Sequence, residues 1–380
     1  MNTALTKYDL AIVGASFAGL VCARTAAMRG LRVAVIDVKT DPGQRVHTSG
    51  ILVKEALDQL DVPDTLTRKI RGVRLYAPNL SSVDLFAPGY FFLATDTANL
   101  LRWLARDAEA AGADIIGGCR ITRANEAGPF IDLPDARLRA RFVVGADGPR
   151  SEIARLFGLS KSRSFLYGVE WDYESIDGVD GRFLHCFLNQ ELAPGYIGWV
   201  VPGVGATQIG LAARAPARPS LSRMFERVAP LFGVARRKVI GRRSGLIPVN
   251  GRLRRTASPR VMLIGDAAGW VSPLTGGGIR FSLQYGRRAG QLIADHLGDY
   301  GGDPAAQLAA ELPGFAGKAA LRWAFEHTPH WMFNNALMTR PMLSLAQRIY
   351  FHRRGTAGSH FDHYKESLVR RDDATRGAPR

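Results

Sequence analysis

Residues 8–37, YDLAIVGASFAGLVCARTAAMRGLRVAVID, leave this chain few folds to choose from. Residues 10–13 are a short apolar run, the kind that forms a strand buried on both faces of a parallel sheet. A turn from Gly14 to Gly19 follows, then helical spacing over 20–29, then Gly30. A second apolar run over 31–36 ends on Asp37, 23 residues after Gly14. The pattern is one strand–helix–strand unit, and its turn suits a particular ligand. A pyrophosphate is held by bare backbone N–H groups at a helix N-terminus, with no side chain in the way. Gly14 permits the tight turn and Gly19 the close packing of helix on strand. An acid ending the second strand accepts hydrogen bonds from ribose hydroxyls, a role that fits Asp37. Ser16 stands where the middle glycine of GxGxxG would be, and Phe17 and Ala18 complete the turn. The unit predicts an α/β fold with a dinucleotide site at Gly14, Ser16, Phe17, Ala18, Gly19 and Asp37.

Two later segments repeat the pattern of apolar run then glycine. Residues 141–155 read RFVVGADGPRSEIAR: a strand over 142–144 leaves through Asp147 and Gly148, and Ser151 is placed to cap a helix. Residues 260–290 read RVMLIGDAAGWVSPLTGGGIRFSLQYGRRAG: a strand over 261–264 ends at Gly265 and Asp266. Pro273 and the triplet Gly276, Gly277, Gly278 then precede a helix starting near Ile279. The first of these segments resembles the DG motif of flavoprotein hydroxylases at Asp147, Gly148, Ser151 and Arg155. The second resembles the GD motif of the same superfamily, and the likeness covers roughly residues 8–290. It implies bound FAD. In that superfamily the aspartate matched by Asp266 hydrogen-bonds the FAD ribitol, and the glycine-rich helix start faces the pyrimidine edge of the flavin. Reduced flavin carries negative charge there, which the bare amides of a helix N-terminus stabilise. Arg45 and Arg102 complete the set of expected cofactor-binding residues.

Within the superfamily the chain is most similar to the geranylgeranyl reductase branch. Gly269 stands where aromatic hydroxylases place a histidine, the GGGI run continues with Ser282 and Gly286, and 194–213 is similar to the reductases' Tyr-x-Trp-x-Phe-Pro segment. Departures are visible. Tyr196 is displaced by one residue relative to Trp199, Val201 replaces the phenylalanine, and the loop PGQRVHTSG lacks the branch's cysteine. The arginine often found before the long first-domain helix is missing near Thr97. The resemblance implies a Rossmann-type FAD-binding domain in three segments (1–71, 96–162 and 251–300). An antiparallel β-sheet substrate domain over 163–250 is inserted into it, with added strands from 72–95. A helical C-terminus over 301–380 with a disordered tail from 366 is expected after it. The implied activity is FAD-dependent reduction of a carbon–carbon double bond in a hydrophobic or isoprenoid substrate. The alternatives are an NAD(P)H-dependent flavin monooxygenase and a non-catalytic flavin-binding protein. NAD(P)H is a candidate electron donor, although no second GxGxxG marks a domain for it. With the chemistry carried by flavin, no catalytic side chain is assigned. Tyr196, Trp199 and His47 are pocket candidates, beside Trp171, Tyr173 and Phe187, which on the plainer reading are sheet core.

Composition narrows the remaining classes. The net charge of +16 favours anionic partners, yet no zinc-finger spacing or aromatic RNA-binding signature accompanies it, so nucleic acid is not expected. Cys22, Cys119 and Cys186 lie far apart, which predicts a reduced, cytoplasmic protein without disulfides or a metal site. No secretion signal and no apolar run of about 20 residues is visible. His47 and His185 read as a surface or packed histidine each. From Trp331 to Phe351, apolar positions at helical spacing alternate with Arg340 and Arg348, and Arg353 and Arg354 follow. This pattern fits either a helix lying on an anionic membrane surface or one docked on the body.

Overall fold

The computed structural model describes residues 5–125, 130–133, 137–234 and 238–351, and the statements below concern these residues. The apolar runs read from the sequence become the centre of a parallel sheet. Leu5–Val13 lies between Arg137–Gly145 and Val33–Ile36 and pairs in parallel with both. Val261–Leu263 and Ala113–Ile116 extend the sheet outward, again in parallel. Leu10, Ile12, Val33, Ile36, Val143 and Val144 have no solvent exposure, which is why these strands read as continuous apolar runs rather than alternating ones. The helices Phe17–Met28, Thr97–Ala110 and Ile279–Leu297 share the core of this sheet. Asp96 caps the second of them, its carboxylate accepting from the Asn99 amide.

The first and third helices cross at very short range. A Cβ on Gly286 would lie 2.7 Å from the Ala18 carbonyl, and one on Gly290 would lie 2.7 Å from the Cys22 carbonyl. These two glycines, one turn apart, let the backbones touch and fix where the glycine turns at the helix starts meet.

A second sheet has the order Val239–Pro248, Phe165–Glu174, Ala206–Arg214, Gly198–Pro202, Phe183–Phe187, Gly72–Tyr76, Ser82–Phe86. Its pairs are antiparallel except that between Phe183–Phe187 and Gly72–Tyr76, which is parallel. The sequence reading placed every strand of 72–95 in this layer. Phe92–Thr95 instead joins Ile51–Val53 and Thr67–Ile70 in a small third sheet, its four residues all buried, as a central strand requires. Alternation along the seven-stranded sheet separates two faces. Tyr76, Tyr173, Phe187, Val200 and Ile209 pack against the helix Leu221–Val228. The opposite face carries Glu170, Gly210, Trp199 and Cys186 in one cross-strand row.

The chain closes with Pro304–Glu311, Ala316–His327, Met332–Ala336 and Arg340–Phe351. Phe333, Leu337, Leu343, Ala346 and Phe351 are buried with Leu75, Val83, Leu184 and Val201 of the second sheet. The last helices are therefore docked on the body. Arg353, Arg354 and the tail from 366 lie outside the described residues.

Candidate functional site

The three glycine turns, far apart in sequence, meet at the carboxyl ends of the parallel strands. Gly14 has φ +111, and a Cβ there would lie 2.3 Å from the Ala146 carbonyl oxygen, so only glycine fits between the first turn and the second. A Cβ on Gly19 would fall 2.0 Å from the Gly14 carbonyl. The third turn follows through Gly265, where an added Cβ would stand 3.0 Å from the Ala18 side chain. Ser16 occupies the N-cap of the first helix in extended conformation and makes no side-chain cap bond, so the helix opens on bare amides; Phe17 and Ala18 begin it and are buried.

The acids of the three turns differ in what they hold. Asp37 Oδ2 accepts from the Ala15 amide at 2.6 Å and Oδ1 from the Lys39 amide at 2.8 Å, so this carboxylate spans the first turn and the loop after the second strand. Asp147 is committed to its own chain. Its Oδ1 accepts from Ser151 Oγ at 2.6 Å, and its Oδ2 from the amides of Glu152 and Ile153 at 2.6 and 3.0 Å. Burial raises its pKa, and these bonds oppose the rise. Ser151 caps the same helix, as its sequence position predicted, accepting from the Ala154 amide at 2.9 Å. Gly148, at φ +80, supplies the bend. Asp266 is different. Protein surrounds it closely enough to push its pKa up to about 6 by desolvation alone, yet its side chain keeps some access to solvent. Among the described residues no donor is paired with its carboxyl. It sits against the start of the long helix, 3.1 Å from where a Cβ on Gly278 would be.

That helix start is a second open N-terminus. Gly278 precedes Ile279 without a side-chain cap, and Gly277 is exposed. Gly276 has φ +62, and a Cβ on it would lie 2.7 Å from the Tyr196 hydroxyl. Tyr196 is buried and donates its hydroxyl to the Thr275 carbonyl, which joins the second sheet to the glycine triplet. Burial raises its pKa. Arg322, from the helix Ala316–His327, had no signal in the sequence reading. It is buried, donates to the carbonyls of Pro273 and Gly195 at 3.0 Å each, and pairs with Glu326.

The loop 41–50 closes another side. Arg102 grips Asp41 through Nε and Nη2, the latter at 2.7 Å, and its Nη1 donates to Asn99 at 2.9 Å. It braces the loop over Gly43, where a Cβ would lie 2.8 Å from its guanidinium carbon. Arg45 is exposed and left-handed, with φ 43. His47 is exposed, and its Nδ1 lies 2.7 Å from the Ser244 carbonyl. A Cβ on Gly245 would meet the His47 carbonyl at 2.5 Å, so the loop lies directly on the second sheet. The sheet face turned this way holds Trp199 and Glu170. Trp171, Tyr173 and Phe187 pack on or beside the opposite core. His185 is a core residue: it is fully buried between the Tyr76 hydroxyl and the Asp180 carbonyl, and burial lowers its pKa to about 4. No cluster of metal-ligating side chains occurs among the described residues.

A glycine turn that excludes side chains at a helix N-terminus, an acid after the second strand, and a facing helix start with a desolvated acid together have the form of a dinucleotide-binding flavoprotein. The residues fit FAD on geometric grounds: side chains are excluded at Gly14 and Gly19, and Asp266 offers an acceptor without a protein donor. The chain belongs to the family described as FAD binding domain, whose profile matches residues 7–305. It is 32% identical over 333 residues to a digeranylgeranylglycerophospholipid reductase from Methanothrix thermoacetophila, covering 78% of this chain and 80% of that protein. A digeranylgeranylglycerophospholipid reductase from Methanopyrus kandleri is 31% identical over 77% of this chain and 78% of its own. Among solved structures, a geranylgeranyl bacteriochlorophyll reductase-like protein from Thermoplasma acidophilum superposes with a TM-score of 0.80 at 20% identity, covering 92% of this chain and 98% of that one. A p-nitrophenol 4-monooxygenase from Pseudomonas putida superposes with a TM-score of 0.68 at 14% identity, covering 92% of this chain and 99% of that one. The chain is an FAD-dependent oxidoreductase.

Proposed function

We propose that this protein reduces carbon–carbon double bonds in the isoprenoid chain of a lipid. The observation that carries this reading is the match to reductases of geranylgeranyl lipids along more than three quarters of the chain. Bound FAD supplies the hydride chemistry, and the chain's residues hold and shape the site. The Gly14–Gly19 turn takes the pyrophosphate, Asp37 a ribose, and Asp266 the ribitol. The amides at Gly276, Gly277, Gly278 and Ile279, with Pro273 setting the loop before them, take the electron-rich edge of the ring. The second sheet, built from 72–86 and 165–248, covers the ring. Gly168 and Gly245 pair on this face, and a Cβ on Gly168 would lie 3.7 Å from the Gly245 carbonyl, so the surface there is backbone rather than side chain. Tyr196 and Trp199 border that space, and His47 edges it from the loop.

The test is anaerobic. Protein with its FAD reduced by dithionite, which removes the need for NAD(P)H or any other donor, is mixed with a phospholipid bearing geranylgeranyl chains. Each double bond reduced should appear as one added pair of hydrogens by mass spectrometry. Hydroxylated product formed only with oxygen and NAD(P)H would establish a monooxygenase instead, and no turnover in either regime a flavin-binding protein.

We also infer that the protein works at an anionic membrane surface. No helix among the described residues is long and apolar enough to cross a membrane. Support comes from the charge of +16 and from large apolar side chains left exposed on the C-terminal helices.

A further inference from the structure

One buried acid, on the face of the second sheet that meets the loop 41–50, is not among the residues assigned to the cofactor above. Glu170 is 3% exposed and lies centrally in the sheet, on Phe165–Glu174. Its Oε2 accepts from the Trp199 indole Nε1 at 2.5 Å. Its Oε1 lies 3.2 Å from Arg243 Nε, outside hydrogen-bond geometry. Between the two strands lies Gly210, where a Cβ would fall 2.5 Å from the indole ring. The indole therefore lies flat in a recess that exists only because residue 210 has no side chain. Glu170 holds its edge.

We propose that Glu170 is a positioning residue: it fixes the Trp199 indole in the Gly210 recess as a wall of the substrate cleft, and it loosens that grip on taking up a proton. The word "substrate" here rests on the reduction proposed above; the grip itself does not. The charge balance explains the sensitivity. Two acids, Glu170 and Asp172, share one guanidinium, since Arg243 Nη2 also binds Asp172 while Nη1 donates to the Thr48 carbonyl at 3.0 Å. Burial of two carboxylates against one cation favours keeping a proton. Other polar groups lie near this row. Gln208 is buried on the same face, and His47 reaches only the Ser244 carbonyl beside Arg243. Cys186 follows Trp199 in the row with its thiol pushed up to about 11, where it meets Tyr350. Desolvation raises Glu170 to about 7. Above that value the indole N–H donates to a full charge; below it the bond is neutral and about half as strong.

The experiment reads the indole itself, with and without substrate. Acrylamide quenching of tryptophan emission is followed from pH 5 to 9 in the parent, in Glu170→Gln, in Gly210→Ala and in Trp199→Phe, the last isolating the Trp199 contribution from the other five indoles. In the parent that contribution should become several-fold more quenchable as pH falls through 7. Glu170→Gln should abolish the transition, and Gly210→Ala, which leaves Glu170 in place but fills the recess, should give an exposed indole at every pH. In turnover, both variants should raise KM several-fold, because the bond that holds the indole is weakened rather than removed, with a smaller change in kcat. A Trp199 signal that does not titrate in the parent, or titrates identically in Glu170→Gln, overturns the proposal. A correct quenching titration with no turnover of any isoprenoid lipid would leave the grip standing and sink the substrate reading.

Discussion

Asp266 is the residue whose environment makes the sharpest demand on cofactor binding. Burial alone raises its carboxyl to about 6. In the apoprotein a folded pKa above the unfolded value contributes stability below about 4, which is lost as pH rises through 6. A ribitol hydroxyl that donates to the carboxylate favours the ionised form, so FAD and protons compete for this group. FAD affinity, measured by flavin fluorescence in equilibrium titrations, should improve as pH rises from 5 to 7. Asp266→Asn should flatten that dependence and weaken binding at neutral pH by about 1.5–3 kcal/mol, the range for a hydrogen bond to a charge. Equal slopes in parent and variant would place Asp266 outside the site. Asp266, Asp37 and Gly14 were legible because each stands at the end of an apolar run, where local spacing carries the meaning. Glu170 was not legible. Its partners Trp199 and Arg243 are 29 and 73 residues away and meet it only through strand register.

At the scale of elements, local signals found the first strand–helix–strand unit and the glycine-rich helix start, because both are settled within one turn and its flanking runs. The order of the second sheet was beyond them. Nothing near residue 183 announces a parallel partner at residue 72, and Phe92–Thr95 looks like any apolar strand until its neighbours are known. The same holds for the helix Ala316–His327, whose role lies in one side chain. Arg322 ties the loop before the glycine triplet to the loop before Tyr196, through carbonyls 78 residues apart in sequence. Replacing it with methionine would leave Glu326 with only Arg214, which is half exposed, and would free both loops. Removing one partner of a buried ion pair costs about 3–5 kcal/mol. Arg322→Met should therefore lower the denaturation midpoint and also the flavin retained on dialysis, while Arg322→Lys, unable to reach both carbonyls, should restore stability better than flavin retention. Full flavin retention in the methionine variant would show that the two loops hold their positions unaided.

For the whole molecule the question is what the positive charge and the C-terminal helices do together. The sequence left two readings of this region, a docked helix and a membrane-surface helix; the fold shows the docking, and a membrane could be met only by the side chains that docking leaves exposed. Phe333, Leu337, Leu343, Ala346 and Phe351 close the core of the second sheet. Trp323 and Trp331, at 63% and 66% exposed, with Met332 and Met338, face outward. Truncation before Trp331 would thus strip the core and unfold the protein whether or not membranes are bound, so point changes are needed. Tryptophan suits the headgroup region, and each basic residue near an anionic bilayer adds about 1 kcal/mol, screened by salt. The intact protein should sediment with vesicles containing anionic phospholipid at low salt, and with neutral phosphatidylcholine vesicles far less. High salt should release most of it. Trp323→Ser with Trp331→Ser should weaken binding at every salt concentration without shifting the denaturation midpoint, because both rings are largely in water already. Parent protein that remains in the supernatant with anionic vesicles at low salt would refute membrane binding and leave the charge to serve solubility and the acidic cofactor alone.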